Sequence, residues 1–417
     1  SFNGTGAFAI PAQWFSQTFN VGNSGADITD VNALNGNVSY SAAGKFTANG
    51  AMTGNVDFKN KAGTFSLGAG KILTGDITST GGVNGTVNLG GGDTVTGNIG
   101  NIGTLNLAAG GATALQGTTT ATSVNLAGGA QVTTTGLLTS GSSVVFGGSV
   151  TQLTLNGGAS GSFSLGTDIN NILTLGAGQT ITGSVTSTGG GGTLNFAGAG
   201  EVTGGIGSVT NKLGQVKFSG AGAIELDGSL FANTLVIANA GVDAKAAGVI
   251  NSNVDYTADG TVEADEGIAG SVTTSANNQG TLKIGGGTVT GTVGTLTNAL
   301  KLVDFVAGNS VLTSGVFATD FKVEAGADVT ANGLLTGKVG YAGAGTLVVN
   351  KGITGNIDFA NQDGILNIGT SGVVTGNITG PSGTINFAGT PVINGAVGSN
   401  LNPVSLVSFN GSGAFAI

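Results

Sequence analysis

Apolar side chains alternate with polar ones in short stretches of this chain. In Thr104-Leu105-Asn106-Leu107, Thr193-Leu194-Asn195-Phe196 and Thr384-Ile385-Asn386-Phe387 the large apolar residues fall on every second position, with Thr and Asn between them. That two-residue period belongs to a strand with one buried face, not to a helix. It predicts that Leu105, Leu107, Leu194, Phe196, Ile385 and Phe387 point into a core while Asn106, Asn195 and Asn386 stay outside. Gly, Asn and Ser punctuate these stretches, so the strands are short and separated by turns.

The phrases recur. TVTGNIGNIGTLNLAAG from Thr94 returns in related form from Glu201, Thr288 and Val373; ILTGDITSTGGVNGTVNLGGG from Ile72 returns from Thr180 and Gly352. Turn glycines set an elementary period: Gly54 to Gly75, Gly183 to Gly204, Gly270 to Gly291 and Gly355 to Gly376 are each 21 residues apart. A coil that short cannot bury its own inner face, so only stacking closes a core. The expected fold is all-β, a right-handed parallel β-helix (β-solenoid) of about 21-residue coils. It is read as a single continuous solenoid over 1–417, with about nineteen coils and a length of roughly 90–95 Å at the inter-strand spacing.

A longer repeat overlies the coil and divides the chain into sub-modules at approximately 1–104, 105–216, 217–303 and 304–407, with 408–417 starting the next copy. SFNGTGAFAI at Ser1 and SFNGSGAFAI at Ser408 are nearly the same words. Phe2, Phe8, Phe409 and Phe415 are therefore the candidate end-stacking residues, through which copies of the chain or contiguous repeats of one polypeptide would join. A start at Ser1 without methionine reads as a processed product or excised segment. The three tyrosines, Tyr40, Tyr256 and Tyr341, occupy one module position, with Phe58 and Phe359 in similar phrases, and are read as packing residues.

Composition narrows the chemistry. The 82 glycines lack a Gly-X-Y period, which excludes collagen. Cysteine, histidine and arginine are all missing, so no thiol nucleophile, Ser-His-Asp triad or His-ligated zinc can be assembled. A formal charge of −9 leaves no basic stripe for nucleic acid. There is no apolar run of about 18 residues, hence no membrane span in this chain. GGVNGT and GAGKILTG lack the following helix a phosphate loop needs, and GGGDTVTGN at Gly90 lacks the tandem period of calcium-binding nonapeptides. No cofactor and no catalytic residue is expected.

Parallel β-helices also carry polysaccharide-degrading sites built from carboxylates, which makes such an enzyme the chemical alternative. The densest acidic cluster is Asp255, Asp259, Glu263, Asp265 and Glu266, the candidate metal (calcium) site. Asp259-Gly260 reads as a turn, and Glu263 and Asp265 share one strand face. The scattered lysines offer these carboxylates no evident partner, and the cluster is read as a solvated surface variation.

TVTGNIG, GTLNFAG and GNIDFANQDGILNIG resemble the repeat regions of the rickettsial surface-antigen autotransporters of outer membrane protein A and B type. The resemblance implies a surface-exposed passenger region, extracellular on a bacterial cell, exported through a C-terminal barrel. Its role would be adhesion to a host or neighbouring-cell receptor, or a surface coat. The alternative is a self-assembling subunit of an extracellular filament, sheath or surface layer stacked end to end.

Overall fold

The computed structural model describes residues 1–411, and the described residues are strands and turns with no helix. They fall into two compact units, Ser1–Gln215 and Val216–Ile417. In each, every coil contributes short strands to three columns, and within a column each strand pairs in parallel with its equivalent one coil later. The chain is an all-β parallel solenoid of about 21 turns.

In the first unit one column runs Gly6–Ile10, Ala26–Asp30, Lys45–Ala48, Thr64–Leu67, Thr86–Leu89 and on to residues 104–107 and 123–126. The second passes through Ile72–Thr74, Thr94–Val95, Ala112–Leu115, Gln131–Thr134, Gln152–Leu155, Ile172–Leu175 and Thr193–Phe196. The third passes through Val56–Asp57, Ile77–Thr78, residues 99–100 and 119–121, Leu138–Ser140, Ala159–Ser160, Gln179–Thr182 and Gly200–Val202. The second unit repeats the plan; one of its columns runs Gly222–Leu226, Val242–Ala246, Thr261–Ala264, Thr281–Ile284 and residues 302–305 and 320–323.

The coil is less regular than the glycine spacing suggests. Asp27 pairs with Lys45, 18 residues on, and Thr64 with Thr86, 22 residues on. Turns absorb the difference while strand pairing stays in step. The uniform 21-residue period is thus corrected to 18–22.

The V-T-G phrase marks a seam between strands. Gly75 has φ +145°, and a Cβ there would run into the backbone carbonyl of Gly54, the equivalent residue one coil earlier; Gly97 stands in the same relation to Gly75. Only glycine lets successive coils approach so closely. The next residue completes the seam with a side-chain oxygen. Asn55 Oδ1 accepts from the Asp76 amide at 2.8 Å, Asp76 Oδ1 from Asn98 at 2.7 Å, and Asn98 Oδ1 from Thr118 at 2.9 Å. Asn356 and Asn377 do the same in the second unit.

The recurring phrase does not return to the same column. Val95 lies in the column that leads through Leu115, Leu155 and Leu175 to Phe196, whereas Val202 lies in the column of Ile99, Leu138 and Ile181. In the second unit Val289 belongs with Leu312, Val349 and Phe387, but Val374 belongs with Ile353, Leu335 and Val293. Each recurrence within a unit is displaced by one face. The whole-coil module lengths of the sequence reading are replaced by lengths that overrun by a third of a coil.

Leu105, Leu107, Leu194, Phe196, Ile385 and Phe387 are buried, and Asn106, Asn195 and Asn386 are half-buried on the outer side. Aromatic rings stack from coil to coil inside, as in Phe46 on Phe65 at 6.4 Å and Tyr40 on Phe58 at 4.7 Å. Tyr341 on Phe359 repeats the latter at 4.7 Å. All three tyrosines bury the ring and donate from the hydroxyl to a backbone carbonyl in the next coil: Tyr40 to Thr64 (2.7 Å), Tyr256 to Thr281 (2.7 Å) and Tyr341 to Ile365 (3.0 Å). Burial pushes all three hydroxyls well above the ordinary tyrosine pKa.

Candidate functional site

The acidic cluster does not converge. Strand Thr261–Ala264 directs Glu263 outward beside Lys245 at 2.7 Å, and Asp265 reaches the same ammonium at 3.2 Å. Asp259, in the preceding turn, binds Lys301 at 2.9 Å and accepts from the Gly280 amide at 3.1 Å. Asp255 accepts from Thr273 Oγ1 at 3.1 Å, and Glu266 is exposed. Among the described residues no three acidic side chains are grouped to hold a metal ion, so the five-residue calcium candidate is not a ligand set. The lysines that looked scattered in sequence are its partners, which corrects the sequence reading. The two carboxylates beside Lys245 raise its pKa, and Lys301 chiefly lowers that of Asp259 against the opposing effect of burial.

Lys245 and Glu263 are two rungs of a longer arrangement. Strand register aligns Glu225, Lys245, Glu263, Lys283, Asp304 and Lys322 in one outward column of the second unit. The signs alternate at every coil. Lys283 lies 4.0 Å from Glu263, Lys322 lies 3.9 Å from Asp304, and Lys322 also pairs with Glu324. Asp304 is nearly buried; loss of solvent raises its pKa, against the pull of Lys322. Beyond the last rung a groove of about 360 Å³ gathers Asp320, Lys322, Lys338 and Asp358. Sequence reasoning missed the ladder because its members are separated by coils of unequal length.

The first unit carries an uncharged counterpart. Asn125 Nδ2 donates to Asn106 Oδ1 at 3.0 Å, Asn106 to Asn88 at 2.8 Å, and Asn88 to Ser66 Oγ at 3.2 Å. Nearby in sequence, Asp93 is fully buried: one carboxylate oxygen accepts from the Lys71 amide at 2.8 Å and the other has no partner. Burial pushes its pKa up to about 6.

A second recurrent feature also escaped the sequence reading. The turns 207–211, 294–298 and 398–402 share one geometry, with Ser208, Thr295 and Ser399 each accepting through the hydroxyl from the backbone amide of Asn211, Asn298 and Asn402 at 3.0 Å. Each holds an aliphatic side chain in solvent: Val209 at 73%, Leu296 at 79% and Leu401 at 89% exposure.

Phe2 lies against Phe8 at 5.8 Å and stacks on Trp14 at 6.4 Å. Phe409 stacks on Phe387 at 5.1 Å and is partly exposed. Phe415 lies outside the described residues. No helix among the described residues is long and apolar enough to cross a membrane.

The chain is thus a parallel β-solenoid whose outward chemistry is arranged in rows along the coils. Compared with protein-family models, curated proteins and solved structures, it matches none.

Proposed function

We propose that this chain is a non-enzymatic structural and adhesive element of a bacterial cell surface, the repeat passenger region of an autotransporter-like adhesin. The observation that carries the reading is the use made of polar side chains. Charged groups pair in register from coil to coil, and asparagines hydrogen-bond in rows, so outward chemistry reinforces a scaffold instead of meeting at one centre. A scaffold of that kind supplies an extended surface. The resemblance of TVTGNIG and GTLNFAG to surface-antigen repeats supports the placement outside the cell and a host or neighbouring-cell receptor as partner.

The test is antibody labelling of intact producing cells, followed by extracellular protease. The expected result is labelling without permeabilisation that the protease reduces. Labelling that requires permeabilisation would overturn the surface assignment. Beads coated with the chain should also bind host-type cells more than beads coated with albumin.

A further inference from the structure

The column Glu225, Lys245, Glu263, Lys283, Asp304 and Lys322 has a symmetry that its internal pairing does not require. Six alternating charges read backwards give the opposite sign at every position. A twofold axis between Glu263 and Lys283 would set Glu225 against Lys322, Lys245 against Asp304, and Glu263 against Lys283 of a second copy. A parallel copy in the same register would oppose like charges at all six. From the charge complementarity of this face we infer that the chain associates side by side with an antiparallel copy of itself, through the outward column of the second unit.

The rungs can make such contacts. The lysine side chains remain 49% exposed at Lys245, 35% at Lys283 and 43% at Lys322, and an ammonium has three donors. Glu225 is exposed at one end of the column. Asp304 is set back, within reach of a long lysine from the facing copy. Thr261 and Thr281, two residues before Glu263 and Lys283 on the same strand face, are small enough for a second sheet to approach. At the parallel-strand spacing the six rungs span roughly 24 Å. An isologous contact of this kind closes as a dimer. The inference concerns the purified chain and holds wherever the protein is displayed.

Sedimentation velocity of the full chain, at low and high sodium chloride, tests it. The expected result is a reversible dimer in low salt that dissociates at high salt, because exposed charge pairs are screened. Glu225→Lys opposes Lys322 twice per dimer and should weaken association about tenfold or more. Lys322→Glu should do the same, while an equimolar mixture of the two variants restores opposite charges and recovers the dimer. Circular dichroism serves as the fold check for each; if Lys322→Glu does not fold, the salt series and Glu225→Lys decide. A monomer at all salt concentrations would overturn the inference, as would a dimer indifferent to salt or to Glu225→Lys.

Discussion

Gly75 and Gly70 differ in what their missing side chains permit. Both have positive φ, but Gly75 faces the Gly54 carbonyl, whereas Gly70 faces open space. Gly75→Ala should cost about 3 kcal/mol or more, from strain and overpacking together. Gly70→Ala should cost about 1 kcal/mol, from backbone conformation alone. Urea unfolding of the two variants checks this, and equal losses would show that close approach of the coils is unimportant. Asp93 makes a prediction in pH. Its pKa of about 6 in the fold lies above the ordinary 3.8, so between these values the folded chain retains a proton that the unfolded chain releases. Its contribution is most favourable below about pH 4 and is lost as pH rises through about 6, by at most about 3 kcal/mol. Unfolding free energies measured from pH 4 to 7 should show that decline, and Asp93→Asn should flatten it.

At the scale of the strand, pairing register decides which side chains meet. Lys283 stands between Glu263 and Asp304, so Lys283→Glu sets three carboxylates in succession and should cost about 1–2 kcal/mol at low salt. Added salt should reduce the loss. Lys351→Glu, on an exposed turn outside the column, should change stability by less than about 0.5 kcal/mol. Thermal unfolding of both variants in low and high salt distinguishes a coupled column from isolated surface charges. The alternation around Leu105, Leu194 and Ile385 was legible in the sequence because it depends only on neighbours two residues apart. The glycine seam was legible as punctuation, although its cause, contact with the preceding coil, was not. The charged column was hidden: its rungs are 18 to 21 residues apart, as from Lys245 to Glu263 and from Lys283 to Asp304, and a fixed 21-residue frame misaligns them. Asp259 and Lys301 were hidden further still, being two coils apart.

For the molecule as a whole, the displacement of the V-T-G phrase by one face means that features encoded once per module are presented in successive directions within a unit. The exposed Leu296 and Leu401 follow Val293 and Val397, which belong to different columns. Scattered presentation suits a surface that engages partners along its length better than one that encloses a substrate. Accordingly, no turnover is expected on acidic or neutral polysaccharides, and turnover lost in Asp265→Asn would refute the non-enzymatic assignment. All these arguments rest on the register in which coils stack, and the absence of native cysteine makes that register directly measurable. Cysteine pairs at Asn106 with Asn125, Thr180 with Glu201, and Val348 with Asn367 occupy facing positions on adjacent strands. At the parallel-strand spacing they fall within disulfide range. Mild oxidation should link each pair within one chain, while Asn106→Cys with Val124→Cys, one residue out of step and pointing inward, should stay reduced; equal linkage of the misregistered pair, or none in the three facing pairs, would contradict the stacked solenoid.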